Sequence, residues 1–139
     1  EYKTKVLKNT DDVVIAIKDM TIRGAGVIGS VAAFGIYIAA KEVDGDFNSL
    51  EKKAQLIRES RPTAVNLMWA VDKMMDYLKN STSLIDDSLK YAIKLNDDEV
   101  KESQKIASFG CDIIENILKI KNKSIINILT HCNAGWLTV

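Results

Sequence analysis

Proline and histidine each occur once in the 139 residues, cysteine only twice, and aromatic residues make up just 6%. With a single proline, little interrupts helix formation. Cys111 and Cys132 cannot build the disulfide framework on which small secreted domains rely. One histidine and two distant thiols also fall short of the four ligands that a tetrahedral zinc site needs. Net charge is missing as well. Nineteen Lys and Arg balance nineteen Asp and Glu, so no basic excess draws the chain to nucleic acid or to an anionic membrane. Internal repeats and low-complexity tracts are absent, and no secretory signal pattern opens the sequence, so a reducing cytoplasm is the expected setting.

Hydrophobic residues at 47% suit one mainly helical globular unit with a sizeable core. From Gly24 to Ala40 there is no charge, with Arg23 before and Lys41 after. That run is short of the roughly 20 apolar residues of a membrane span. It is also rich in Gly and Ala, so a helix buried on all sides is the expectation.

Around that helix the periodicity predicts several others. Asp11 and Asp12 open one, with Val13, Ile17 and Met20 as its apolar stripe. The uncharged helix runs to Lys41 or Glu42 and stops at Asp44-Gly45. Asn48 with Glu51 resembles a capping pair for a helix whose core side is Leu50, Ala54 and Ile57. Pro62 suits a helix's first turn, and Ala64, Met68, Val71, Met75 and Leu78 follow as one apolar face, with Trp69 as core filling. From Leu84 to Lys119 the text is helical, as one helix or two, with Leu89, Ile93, Val100, Ala107, Ile114 and Leu118 on a common face. Asn96 and Ser103 fall on that same face. Cys111 reads as inert packing, and Asn96 to Glu102 as a solvated surface. Lys119 to Lys123 looks like a basic connector. Beyond it the period becomes strand-like, Ser124 to Leu129, as a second, α/β unit would begin.

Three stretches carry possible chemistry. Gly24-Ala25-Gly26-Val27-Ile28-Gly29 matches G-x-G-x-x-G, but that fingerprint has meaning only after a strand, and a helical stripe precedes it here. What survives is more general. Small residues at a helix N-terminus leave N–H groups open, and Arg23 stands beside them, so an anion could bind. Close packing with Arg23 in a structural ion pair is the equal alternative. Arg61, ahead of the next helix, is another possible anion contact. Thr130-His131-Cys132-Asn133-Ala134-Gly135 follows the strand-like run, where α/β sheets keep their chemistry. A thiol facing a helix N-terminus has its thiolate favoured. His131 and Cys132 are neighbours on an extended segment and point apart, which argues against a Cys–His pair. Cys132 is then either a lone acid–base thiol or a buried structural one.

Together, Ile22-Arg23-Gly24-Ala25-Gly26-Val27-Ile28-Gly29, Arg61-Pro62-Thr63-Ala64-Val65-Asn66-Leu67 and Leu129-Thr130-His131-Cys132-Asn133-Ala134-Gly135 resemble the methylthioribose-1-phosphate isomerase family in order and spacing. Its wider superfamily includes ribose-1,5-bisphosphate isomerase and the regulatory subunits of eukaryotic translation initiation factor 2B. The resemblance implies a helical N-terminal domain over residues 1–121. Residues 122–139 would then hold the first strand of a truncated Rossmann-like α/β domain, the chain being well under half of a complete member. It implies a phosphorylated sugar between the domains, with Arg23, the Gly24 and Ala25 backbone, and Arg61 as substrate-binding groups. Cys132 is implied as the catalytic thiol, and a second catalytic residue, an Asp, belongs to the missing domain. No cofactor is implied. A homo-oligomer is expected of the complete protein. Isomerases of ribose 1,5-bisphosphate or 5-deoxyribose 1-phosphate would look much the same. The rival from another class is a non-enzymatic regulatory subunit, against which the cysteine loop speaks.

Overall fold

The structure, a computed structural model, describes residues 3–131. Five helices follow one another: α1 (Thr10–Lys18), α2 (Ala25–Glu42), α3 (Phe47–Arg58), α4 (Val65–Leu78) and α5 (Leu84–Lys121). The uncharged helix α2 is the centre, packed against each of the other four, and α1, α3, α4 and α5 neighbour one another in that order around it. By length and composition α2 could cross a membrane, but it serves here as the core helix.

Small residues make that central position possible. Ala32, Ala33, Ala39 and Ala40 are completely buried. At Gly35 a Cβ would lie 2.9 Å from Val13 Cγ1 and 3.2 Å from Ile57 Cδ1, so α1 and α3 approach the α2 backbone directly. Apart from Ile36 of α2, the larger core residues come from the surrounding helices, with Ile17, Leu50, Ile57, Leu67, Met74 and Leu78 fully enclosed. Each such side chain is worth about 1.5–3 kcal/mol of burial.

Polar contacts fix the ends. Asn9 caps α1 by accepting from Asp12 N–H (2.8 Å). Fully buried Thr10 donates its hydroxyl to Glu42 at the end of α2. Its backbone N–H donates to the same carboxylate at 3.1 Å, and Lys53 of α3 pairs with it at 2.9 Å. Burial pushes the Glu42 carboxyl up, but the Thr10 hydroxyl, the Lys53 ammonium and the Thr10 N–H together outweigh it, so its pKa ends below the ordinary value. Arg58 makes a two-pronged contact with Asp72, at 2.8 and 3.1 Å, joining α3 to α4. Tyr77 and Tyr91 stack at 4.1 Å between α4 and α5.

Several expectations need correction. Met20 lies past the end of α1 with φ 62°, exposed, rather than on its stripe. The cap of α3 is Asp46, which accepts from Ser49 N–H at 2.8 Å, not the Asn48–Glu51 pair. An Asp already in extended conformation reaches the first free amides sooner. Pro62 stands ahead of α4, in a turn closed by Ala64 N–H to Arg61 C=O at 3.0 Å. That second turn position suits proline's fixed φ. The buried face of α4 is Leu67, Ala70, Val71, Met74 and Leu78. Met68 and Met75 sit at its edge, half-buried, because the apolar arc is wide and the neighbours choose which part to cover. Trp69 is largely exposed rather than core filling.

One continuous helix, α5, runs through Gly110. It buries Ser88 and Ala92, flanked by Leu84, Ile85, Tyr91 and Leu95, instead of the expected face. Its first half alone packs on the core. Beyond Ala92 no residue of α5 is fully buried, and Ile106 and Phe109 are 72% and 67% exposed. Cys111 is exposed too, not packed. The helix ends at Asn122 in the left-handed region, with Lys123 N–H returning to Leu118 C=O. No strand forms among the described residues: positions 125–131 make no ladder, and Leu129 is 98% exposed. A strand exists only by hydrogen bonding to a neighbour, and none lies alongside.

Candidate functional site

One cleft, of about 620 Å³, gathers the N-terminal ends of α2 and α4 and the middle of α5. Arg23, Gly24, Ala25 and Arg61 all line it, so four of the five residues singled out in the sequence come together. The fifth, Cys132, lies outside the described residues.

Local structure explains how they arrive. After α1, Ile22 N–H returns to Ala16 C=O (2.9 Å), while Asp19 accepts from Thr21 N–H (2.8 Å). This hairpin carries Arg23 to the cleft edge. Gly24 then caps α2 with φ 92° and ψ 136°, a conformation glycine takes without strain and other residues do not. On the other wall, buried Ser60 bonds to Ile57 C=O (2.6 Å). The Arg61–Ala64 turn follows and ends at α4. Arg23 and Ala25 are exposed, whereas Gly24 and Arg61 are half-buried.

Charge is distributed unevenly over the helix starts. α1 has Asn9 as cap with Asp11 and Asp12 in its first turn, α3 has Asp46, and α5 has Asp86 and Asp87. The two helices that open on the cleft, α2 and α4, have neither a side-chain cap nor an acidic residue in the first turn. Their first N–H groups therefore receive no side-chain cap from the described residues, although Leu67 N–H of α4 returns to Ala64 C=O at 3.0 Å. Of the three arginines, Arg58 is paired with Asp72. Arg23 and Arg61 form no ion pair among the described residues. Two guanidinium groups and two bare helix N-termini facing one cleft make a place for a dianion such as a phosphate.

The opposite wall was not anticipated. Glu99, Ser103 and Ile106 of α5 line the cleft, as do Thr63 and Asn66. The sequence places Glu99 on a solvated surface, whereas the fold turns it into the cleft. A signal did exist, since Asn96, Glu99 and Ser103 recur at three and four on an otherwise apolar helical face. Glu99 also lines an apolar cavity of about 240 Å³ with Val13, Phe34 and Val100.

Comparison with known proteins gives two results. The model of the Initiation factor 2 subunit family matches residues 21–139. Curated relatives named methylthioribose-1-phosphate isomerase match along almost the whole chain. The one from Sulfurimonas denitrificans is 70% identical over 138 residues, covering 99% of this chain and 38% of that protein. That of Desulfatibacillum aliphaticivorans is 43% identical, covering 88% and 35%, and that of Escherichia coli 36% identical, covering 99% and 38%. The chain thus spans under two-fifths of the length of these relatives.

Proposed function

The chain belongs to the Initiation factor 2 subunit family, and we propose that within it these residues are the N-terminal part of an aldose–ketose isomerase. The proposed reaction converts S-methyl-5-thioribose 1-phosphate to S-methyl-5-thioribulose 1-phosphate in methionine salvage, in the cytoplasm. The observation that carries this reading is the convergence of Arg23, Gly24, Ala25 and Arg61 on a cleft whose two helix starts have no acidic residue in the first turn. The names of the relatives supply the substrate.

In this reading the phosphate lies between the two guanidinium groups and accepts from the first N–H groups of α2. Holding the phosphate fixes C1, to which it is attached. The isomerisation then opens the C1–O4 ring bond and moves a hydrogen from C2 to C1. C2–O becomes a carbonyl, its hydroxyl proton being balanced by one taken up at O4, so no outside oxidant is needed. Such a change needs acid–base groups near both carbons and little water. Cys132 is the proposed thiol on one side, brought over the cleft by a strand over 124–129 that pairs within an α/β domain beginning at Asn122. The group on the other side belongs to that domain. The 139 residues alone should therefore show no turnover.

Substituting Arg61 by alanine in the complete polypeptide should lower kcat/KM by roughly 100-fold, the loss expected for a charge-assisted contact. Cys132→Ser should abolish turnover with folding intact. Full activity of both variants would overturn the assignment. A second reading, a non-enzymatic interaction subunit, draws on the exposed apolar residues of the outer half of α5. Under it, Cys132→Ser would leave function untouched.

A further inference from the structure

Among the described residues Glu99 is the one carboxylate in a cleft otherwise arranged for an anion. It is half-buried, and among the described residues it has no ion pair or hydrogen bond, although its neighbour Asp98 is paired with Lys94 and lies 3.9 Å from Lys101. Its other surroundings are apolar or narrow. It borders the cavity of Val13, Phe34 and Val100, and the small gap beside Trp69 and Gly29. A carboxylate in such a place needs donors from a ligand or from water. Arg23 and Arg61 share the cleft but form no ion pair with it, leaving the volume between them open.

The two walls therefore ask for different chemistry. The side of α2 and α4 offers two guanidinium groups and helix-start N–H donors beside the neutral Thr63 and Asn66, which suits a phosphate. The other offers an acceptor with a negative charge, which suits hydroxyl groups and repels a second anion. We propose that Glu99 is a positioning and specificity residue. Its carboxylate accepts hydrogen bonds from the hydroxyls of a sugar phosphate whose phosphate is held by Arg23 and Arg61, and it disfavours ligands with another anionic group on that side. This rests on the sugar-phosphate reading and adds to it the wall that reads the sugar.

Calorimetric titration of the complete polypeptide with ribose 1-phosphate and with inorganic phosphate tests it. The wild type should prefer the sugar phosphate. Glu99→Ala should lose roughly tenfold or more of its affinity for ribose 1-phosphate, while affinity for inorganic phosphate stays level or rises because a repulsion is gone. Glu99→Gln, which keeps a carbonyl acceptor, should fall between, and Glu102→Gln on the exposed surface should match the wild type. Equal weakening of both ligands would mean that Glu99 merely supports the fold, and an unchanged ratio would mean that it does not touch the sugar. Either result overturns the inference alone, provided Arg61→Ala weakens both ligands. If the wild type binds neither, or Arg61→Ala changes neither, the sugar-phosphate reading falls with it.

Discussion

Replacing Gly35 by alanine should destabilise the helical unit, while the same change at Gly29, six residues earlier on α2, should stabilise it. Both positions lie in a helix interior, where alanine is favoured over glycine by about 1 kcal/mol. They differ in what the new methyl meets. At Gly29 the nearest atoms are Asn66 O at 3.6 Å, Asn66 Cβ at 3.8 Å and Ala70 Cβ at 3.9 Å, all ordinary contacts. The helix preference should therefore show almost in full. At Gly35 the methyl would sit 2.9 Å from Val13 Cγ1 and 3.2 Å from Ile57 Cδ1. Val13 and Ile57 are enclosed, and the branched Val13 side chain is stiff at χ1, so neither can swing out of the way. Overpacking of this kind costs about 1–3 kcal/mol. The pair should thus diverge by about 1–3 kcal/mol, measurable as urea midpoints followed by far-UV circular dichroism at a constant m-value. Trimming the obstacle should restore the loss: Val13→Ala should cost less in the Gly35→Ala background than in the wild type. If Gly35→Ala proves as stable as Gly29→Ala, α1 and α3 do not approach α2 as described, and the account of α2 as a small-residue core helix fails.

Two further predictions concern the ends of the unit. The Glu42 carboxyl titrates below its ordinary value in the folded state, so unfolding takes up protons as pH falls through the glutamate range, about 4.3. Its stabilisation should be complete at neutral pH and disappear in acid. Glu42→Gln should accordingly lower stability at neutral pH and flatten the acid limb of a stability profile, and an unchanged limb would refute the Thr10–Glu42–Lys53 link. Cys111 is exposed, so in a Cys132→Ser background one thiol should react with a disulfide reagent in the native state as fast as in urea. Protection would restore the packed thiol expected from the sequence.

The sequence by itself determined that these segments are helical and that α2 stops near Glu42, because those depend on periodicity and on residues with strong local preferences. Val13 with Ile17, and Leu50 with Ala54 and Ile57, were legible as core at a spacing of three and four, and all five are buried. Arg23 and Arg61 were legible as cations beside helix starts, which is a local fact, and the fold brings both to one cleft. Tertiary structure decided what depended on neighbours. The buried stripe of α4 could be rotated within its wide apolar arc, and only the positions of the surrounding helices chose Leu67 and Met74 over Met68 and Met75. The long α5 reads alike along its length, yet its first half alone has the core beside it, so Cys111 ended in solvent. The strand-like run of Ser124–Leu129 has no neighbour to pair with among the described residues, and pairing is what makes a strand. Glu99 became part of a cleft only when α5 was laid across the starts of α2 and α4, which brings it to Arg61 and Arg23, 38 and 76 positions away in the chain, a juxtaposition that no local pattern records.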